Sequence, residues 1–293
     1  MMQYTNKHNY PEIVTQWLQF DEYDYDPKTI SATTLMKPAR MFVLERKNWD
    51  NLEVDVSDLV ASRYGTAIHD SVEKVPLKDC IQEERLRTEI NGYTITGKFD
   101  ILHKISNDEY ELIDVKSTSV WTVIYGSKDI DYITQLSIYR YLARDKYKVS
   151  KNARIWFVFT DWSQSKAKND PEYPQSRCMM KDINLWSYAD TEKYIKSRLA
   201  LFEEEMNQPE DDLILCSDTD LWAEQEKYAI MKENRKSAIK LHDTKQDAEK
   251  HLNTLGKTYY IEHRPGKVKR CNYCCASKFC SQYIRLSNEG RVD

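Results

Sequence analysis

Two stretches of alternating side chains meet at Asn91-Gly92, and this dipeptide constrains the fold more than any other feature of the chain. Both residues accept the left-handed backbone of a tight type I′ turn, so residues 84–90 and 93–102 are expected to form one antiparallel hairpin. A third strand over 110–115 follows the turn-forming Ser106-Asn107-Asp108. An amphipathic helix over 55–75 precedes the hairpin, with Leu59, Ile68, Val72 and Val75 spaced for one side and Pro76 as its stop. After the third strand, Ile133, Leu136, Ile138 and Leu142 mark a helix over 131–144. Residues 154–160 are apolar enough for a strand buried on both faces. The order helix, three strands, helix, strand suits an α/β core built on a mixed sheet.

The flanks read less regularly. Residues 1–30 are acidic and Tyr-rich, a loose arm in which Asp21, Glu22, Asp24 and Asp26 interrupt any period. Ser31 or Thr33 can cap a short helix that carries Leu35 inward, and Pro38 breaks or restarts it ahead of Met41, Val43 and Leu44. Residues 163–176 read as a surface loop, 178–185 as a strand and 188–206 as a helix. Residues 207–220 are a linker candidate, followed by a basic helical region to about 255 and a cysteine cluster. Three segments are therefore expected: an N-terminal arm and helical element over 1–54, a core over 55–206, and a helical C-terminal module over 207–293.

With 7 Gly and 8 Pro against 20 Tyr and 7 Trp in 293 residues, the chain is neither collagen-like nor of low complexity. Its apolar runs, such as 155–159, fall far short of the ~20 residues that span a bilayer. The first residues lack the pattern of a secretion signal. A soluble cytoplasmic protein with no membrane partner is the expectation. The net charge of −4 speaks against a simple nucleic-acid coat, but residues 226–270 carry twelve Lys/Arg against six Asp/Glu. That run is either a solvated helix face or a footprint for a phosphate backbone. Four of seven cysteines, Cys271, Cys274, Cys275 and Cys280, crowd into ten residues. In a reducing compartment such density points to a metal or cluster site, the alternative being a buried thiol-rich turn.

Period-two geometry puts Asp114 and Lys116 on one face of the third strand, with the Val115 carbonyl between them. A carboxylate can hold a hard cation, and a nearby ammonium can orient an attacking water. Asp-x-Lys alone arises by chance on many surfaces. Asp100, in Gly97-Lys98-Phe99-Asp100, can lie beside Asp114 across the sheet or simply face solvent. His69 on the preceding helix is a further ligand candidate, although a lone helical His is more often structural. Gln135 and Tyr139, four residues apart, share a helix face. They can reach a phosphate or a water, or pack as an ordinary helix–sheet contact.

Taken in order, Gly65-x-x-x-His69, Gly97-x-x-Asp100, Asp114-x-Lys116 and Gln135-x-x-x-Tyr139 resemble the PD-(D/E)XK nuclease superfamily, and within it the RecB-like exonucleases, while Ser31–Arg46, Asp161-Trp162 and residues 263–271 resemble the RecB-family nucleases of bacteriophages. The resemblance implies a restriction-endonuclease-like αβββαβ core with a central mixed sheet flanked by helices. It implies His69, Asp100 and Asp114 as ligands of Mg²⁺ or Mn²⁺ with the Val115 carbonyl, Lys116 as the water-orienting lysine, and Gln135 and Tyr139 as support for DNA and the site. Glu73 and Glu84 would stand behind these groups. The implied reaction is phosphodiester hydrolysis on single-stranded DNA or duplex ends, in recombination or replication. A single-strand annealing protein or a helicase would be the partner, in the host cytoplasm if the gene is a phage's. The alternatives are a DNA-binding or recruiting subunit of the same fold without cleavage, and an endonuclease.

The spacing Cys271-x2-Cys274-x5-Cys280 resembles the three C-terminal cysteines that hold an iron–sulfur cluster in AddB-type and CRISPR-associated RecB-like nucleases. In those proteins the fourth cysteine precedes the catalytic core, and here no cysteine precedes His69. The fourth ligand is then Cys216, Cys275, Cys80 or Cys178. Cys216 is preferred because it opens the same module. A [4Fe–4S] cluster is the leading expectation and Zn²⁺ the alternative.

Overall fold

The turn at Asn91-Gly92 forms in the computed structural model of the chain, which describes residues 3–20, 26 and 28–292, with φ of 52° and 78° at the two residues. Part of the expected acidic arm, including Asp21, Glu22 and Asp24, lies outside the described residues. Strands follow in chain order as β1 (Gln3–Thr5), β2 (Thr29–Ser31), β3 (Glu53–Asp55), β4 (Cys80–Gln82), β5 (Arg85–Ile90), β6 (Tyr93–Lys98) and β7 (Ile101–Lys104). They continue as β8 (Tyr110–Thr118), β9 (Asn152–Phe159), β10 (Cys178–Asn184), β11 (Lys227–Lys232), β12 (Lys240–His242) and β13 (Tyr259–Arg264). The chain divides into two compact units, one of residues 4–37 with 55–203, the other of 1–3 with 38–54 and 204–293. The N-terminal segment expected over 1–54 is thus shared between the units at Lys37-Pro38.

In the first unit the hairpin is one long ladder interrupted in its middle. β5 pairs with β6 from Arg85↔Lys98 to Ile90↔Tyr93, and β4 pairs with β7 from Cys80↔His103 to Gln82↔Ile101. Between them Glu83 N donates to the Asp100 carbonyl at 2.9 Å, and Phe99 N to the Glu84 carbonyl at 3.3 Å. Glu83 has a φ of 54°, a left-handed conformation that a non-glycine residue seldom adopts. The ladder bends there into two sheets, and the single strand expected over 93–102 is split at Phe99-Asp100. One sheet is β2-β6-β5; the other is the mixed five-stranded β10-β9-β8-β7-β4, in which β8 runs parallel to β9 and antiparallel to β7.

The helices of this unit are α1 (Glu12–Gln19), α2 (Ala32–Leu35), α4 (Val60–Glu73), α5 (Val120–Ile124), α6 (Asp129–Ala143) and α7 (Gln164–Asn169), with most of α8 (Tyr188–Met206); α3 (Ala39–Lys47) belongs to the other unit. Ser31 caps α2, its hydroxyl accepting from Thr34 N. Leu136, Ile138 and Leu142 of α6 are buried, as are Phe99 at the bend and Leu112, Val115, Ile155 and Phe157 of the sheets. Each such side chain stabilises the fold by about 1.5–3 kcal/mol. α4 buries none of its residues fully; Ile68 and Val72 pack against Ile101, Ile113 and Val115. Val75, expected on the same side, is exposed because the helix ends two residues earlier.

The second unit holds the sheet β12-β11-β13, α3, α9 (Lys245–Leu252) and α10 (Ser281–Asn288). The basic region expected to be helical up to 255 instead carries the strands β11 and β12 ahead of the one short helix α9. Ala229, Ile230 and Met231 are buried at the centre of β11, which is paired on both sides. Its lysines lie at the strand ends, so a helical charge pattern in sequence is a bordered strand in space. Among the described residues no helix is long and apolar enough to cross a membrane.

Candidate active site

Where β4 gives way to β5, and β6 to β7, the two turning points face each other and bring Glu83 and Asp100 together. α4 passes beside them and supplies His69. Its Nδ1 lies 3.2 Å from Asp100 Oδ1 and 3.6 Å from Glu83 Oε1. One ligand atom from each of these three residues fits within 4.8 Å. Hydrogen bonds to Asp100 and Glu83 raise the imidazole to about 10, against the desolvation that would lower it. Lys98 Nζ sits 2.6 Å from Glu83 Oε2.

β8 delivers the other groups. Asp100 Oδ2 accepts from the Val115 N–H at 2.6 Å, capping the edge of β8 just beyond its pairing with β7. A strand residue's N–H and C=O face the same neighbour, so the Val115 carbonyl is directed to that edge too. Asp114 and Lys116 share the face that alternation gives them, with Lys116 Nζ 2.7 Å from Asp114 Oδ2. The contact is off the line of a hydrogen bond, and this buried oxygen has no aligned donor. Burial pushes the Asp114 carboxyl up to about 6, against the pull of Lys116. Burial alone would depress the Lys116 ammonium, but the charges of Asp114 and Asp100 outweigh it and hold it above its ordinary value.

α6 closes the site. Gln135 Nε2 donates to Tyr139 Oη at 2.7 Å, and the buried phenol is held above its ordinary range by desolvation and then by Asp114. The Tyr139 ring lies against Gly97. A Cβ there would come within 2.8 Å of two ring carbons and 2.9 Å of Leu142 Cδ1. Gly97 and Tyr139, far apart in sequence, are therefore two halves of one contact. Gly65 is different: a Cβ would meet only Ser117 Oγ at 3.6 Å.

The structure brings His69, Asp100, Asp114, Val115, Lys116, Gln135 and Tyr139 into one neighbourhood. Two expected residues stand elsewhere. Glu84 binds Lys146 and Tyr147, and Glu73 is exposed at the end of α4. The carboxylate beside His69 is instead Glu83, which the sequence reading passed over. Pairing across Asn91-Gly92 sets residue 83 opposite Asp100, a signal present in the register. Of these groups, His69, Glu83 and Asp100 lie close enough together to hold one ion, a donor set suited to Mg²⁺ or Mn²⁺.

In the second unit Cys216, Cys271, Cys274 and Cys280 line one small cavity of about 30 Å³, together with Leu44, Leu221 and Arg40. Gln282 clamps the Cys216 backbone by accepting from its N–H at 2.9 Å and donating to its carbonyl at 2.8 Å. The buried Arg40 donates to Cys280 Sγ at 3.2 Å and to the Leu213 carbonyl at 2.9 Å, and pairs with Glu210. Burial pushes the Cys216 and Cys274 thiols up to about 12. Cys275 turns to Glu45 and does not line the cavity. Cys80 and Cys178 lie in the first unit.

The family model of the PD-(D/E)XK nuclease superfamily matches residues 59–281. Among solved structures, SSO0001 is similar over 64% of this chain and 84% of its own, with 17% identity and a TM-score of 0.46. A phage-related exonuclease from Haemophilus somnus 129PT covers 64% of this chain and 76% of its own at 18% identity, TM-score 0.29. An alkaline exonuclease from Laribacter hongkongensis covers 61% and 90% at 14% identity, TM-score 0.33. No curated protein matches the chain.

Proposed function

Because the chain belongs to the PD-(D/E)XK nuclease superfamily, we propose that it is a divalent-metal-dependent exonuclease hydrolysing DNA from strand ends. The observation that carries this reading is the meeting of Asp100, Asp114 and Lys116 at one edge of β8, with a buried Asp114 oxygen that has no aligned donor. His69, Glu83, Asp100 and Asp114, with the Val115 carbonyl, would hold Mg²⁺ or Mn²⁺. When bound, the ion supplies positive charge against the developing charge on the phosphate. Lys116 would orient the attacking water, its position fixed by Asp114. Tyr139 and Gln135 would shape the phosphate's seat from α6. The site would serve recombination or replication in a bacteriophage's host cytoplasm, alongside a single-strand annealing protein or a helicase.

For the cysteine cavity we propose a [4Fe–4S] cluster bound by Cys216, Cys271, Cys274 and Cys280. At Zn–S distances near 2.3 Å, sulfurs around one zinc ion lie roughly 3.8 Å apart. Among the described residues no three of these sulfurs fall within 4.8 Å, a spacing wider than a single ion needs. Zn²⁺ is the alternative.

End-labelled linear and circular single-stranded DNA, incubated with Mn²⁺ or with EDTA, test the nuclease reading. Cleavage of the linear strand only, absent with EDTA and in Asp114→Asn, is the expected result. Cutting of the circle would make it an endonuclease. Metal-independent binding without cleavage would make it a recruiting subunit.

A further inference from the structure

Beyond the metal site, β8 runs directly into a group of exposed aromatic side chains. Trp121 on α5 and Tyr125, the C-cap of that helix, are one turn apart and stack with ring centroids 5.9 Å apart and planes 20° apart. They are 40% and 73% exposed, an unusual state for two adjoining large rings. Lys166, on α7, holds its ammonium 4.9 Å from the Trp121 centroid and 5.9 Å from that of Tyr173. Tyr173 in turn meets Trp121 edge-on at 6.3 Å.

The group is anchored rather than loose. Asp161, at the end of β9, accepts from Ser119 Oγ at 2.6 Å and from Val120 N at 2.8 Å, and Ser119 Oγ accepts from Trp121 N. These bonds fix the start of α5 relative to the two central strands. Only four residues separate Lys116 from Trp121, which limits their separation to about 17 Å of extended chain. At an axial rise of roughly 3.4 Å per nucleotide along one strand of a duplex, that span is within reach of a few nucleotides from a phosphate at Lys116.

We propose that Trp121 and Tyr125 form a stacking platform for unpaired bases of a single DNA strand next to the scissile phosphate, with Lys166 pairing the backbone. The proposal rests on the phosphodiesterase reading above and specifies its substrate as single-stranded or frayed. Base stacking suits these rings because every base offers a flat face, and the cation beside them complements a polyanion. Lys166 beside the rings, with the exposed Lys128 and Lys168 on the flanking segments, complements a polyanion; of the acidic residues there, Asp161 is engaged in capping, Asp129 binds Lys181 and Asp170 accepts from Glu172 N, while Glu172 itself is exposed.

The test uses the full-length protein and fluorescein-labelled twelve-residue oligothymidylates, intact or with one abasic residue walked from either end, in EDTA. The wild type should bind the intact strand roughly 5- to 100-fold more tightly than the strand lacking the stacked base, at one or two positions only. In Tyr125→Ala, whose ring has few contacts to lose, and in Trp121→Ala, that difference should collapse, while Trp121→Phe should keep most of it. Wild-type affinities of both alanine variants for intact and abasic strands would overturn the platform. So would a loss of equal size on a hairpin-closed duplex with no unpaired base beside the cut. Mn²⁺-dependent cleavage by the wild type is scored separately. Its absence, with base-dependent binding retained, would remove the nuclease reading and leave the platform on a DNA-binding chain.

Discussion

Replacing Gly97 with alanine puts a methyl group in place of a hydrogen at a position where the structure leaves no room. The new Cβ would sit 2.8 Å from Tyr139 Cδ1 and Cε1 and 2.9 Å from Leu142 Cδ1. Carbon atoms prefer 3.5–4.0 Å, so three contacts are about 0.7 Å too short at once. The backbone at Gly97 is not left-handed, which makes the penalty steric alone. Tyr139 and Leu142 are both buried and cannot swing into solvent. Overpacking of this kind costs about 1–3 kcal/mol. At 2–4 °C per kcal/mol for a body of this size, the melting midpoint should fall by roughly 2–12 °C. Thermal unfolding by circular dichroism reads this directly. Gly65→Ala is the control, since its Cβ finds ordinary contact with Ser117 and a helix-interior alanine is favourable by about 1 kcal/mol. The cost of Gly97→Ala should also shrink in a Tyr139→Ala background, because the ring that blocks the methyl is gone. An unchanged midpoint in Gly97→Ala, or an undiminished cost in the double variant, would refute the argument.

Lys116→Ala should lower turnover by a factor of about 10² or more while an end-labelled strand still binds in Ca²⁺; equal losses in rate and binding would make the residue a phosphate clamp. Asp55 accepts from Thr5 Oγ1, Lys7 N and Ser57, and the Ser57 bonds hold its carboxyl well below the ordinary carboxylate range. Its contribution to stability is therefore full above the unfolded value near 3.8 and is lost as pH falls through the lower folded value. Asp55→Asn should cost about 2 kcal/mol at pH 7 and flatten the acid limb of a pH–stability curve measured by urea unfolding. Cys216→Ser should strip iron and the absorbance near ~400 nm from anaerobically purified protein, and Cys275→Ser should leave both in place. Retention of iron in Cys216→Ser would exclude that residue as a ligand.

Where the fold was legible, local chemistry and tertiary packing agreed. Asn91-Gly92 forms its turn because both residues tolerate positive φ, and α8 spans the residues its pattern marks, Tyr188–Met206. The region after 226 was not legible because lysines at the ends of a short strand mimic a solvated helix face. Glu83 was obscured by its neighbour. The register across Asn91-Gly92 sets residue 83 opposite Asp100, but the left-handed bend between β4 and β5 that brings its carboxylate to the site has no mark in the pattern of alternation. Gly97 and Tyr139 could be read as motif positions, but their direct contact depends on how α6 packs over β6.

The two centres differ in how they are held before any ion is bound. Each carboxylate of the oxygen site has a cation of the protein's own at short range: Lys98 on Glu83, His69 on Asp100 and Lys116 on Asp114. Buried charges so paired do not need a metal to offset their desolvation, and the site can exist folded without one. The cysteine cavity is walled by Leu44 and Leu221, with Arg40 donating to one sulfur. The four half-buried thiols face Arg40 and Arg270 across a largely apolar lining, so a metal centre at that position would contribute folding energy directly. A chelator that empties the oxygen site should therefore stop hydrolysis without moving the melting curve. Loss of the cysteine centre should loosen the unit around α3 and α10 and leave the geometry of Asp114 and Lys116 intact.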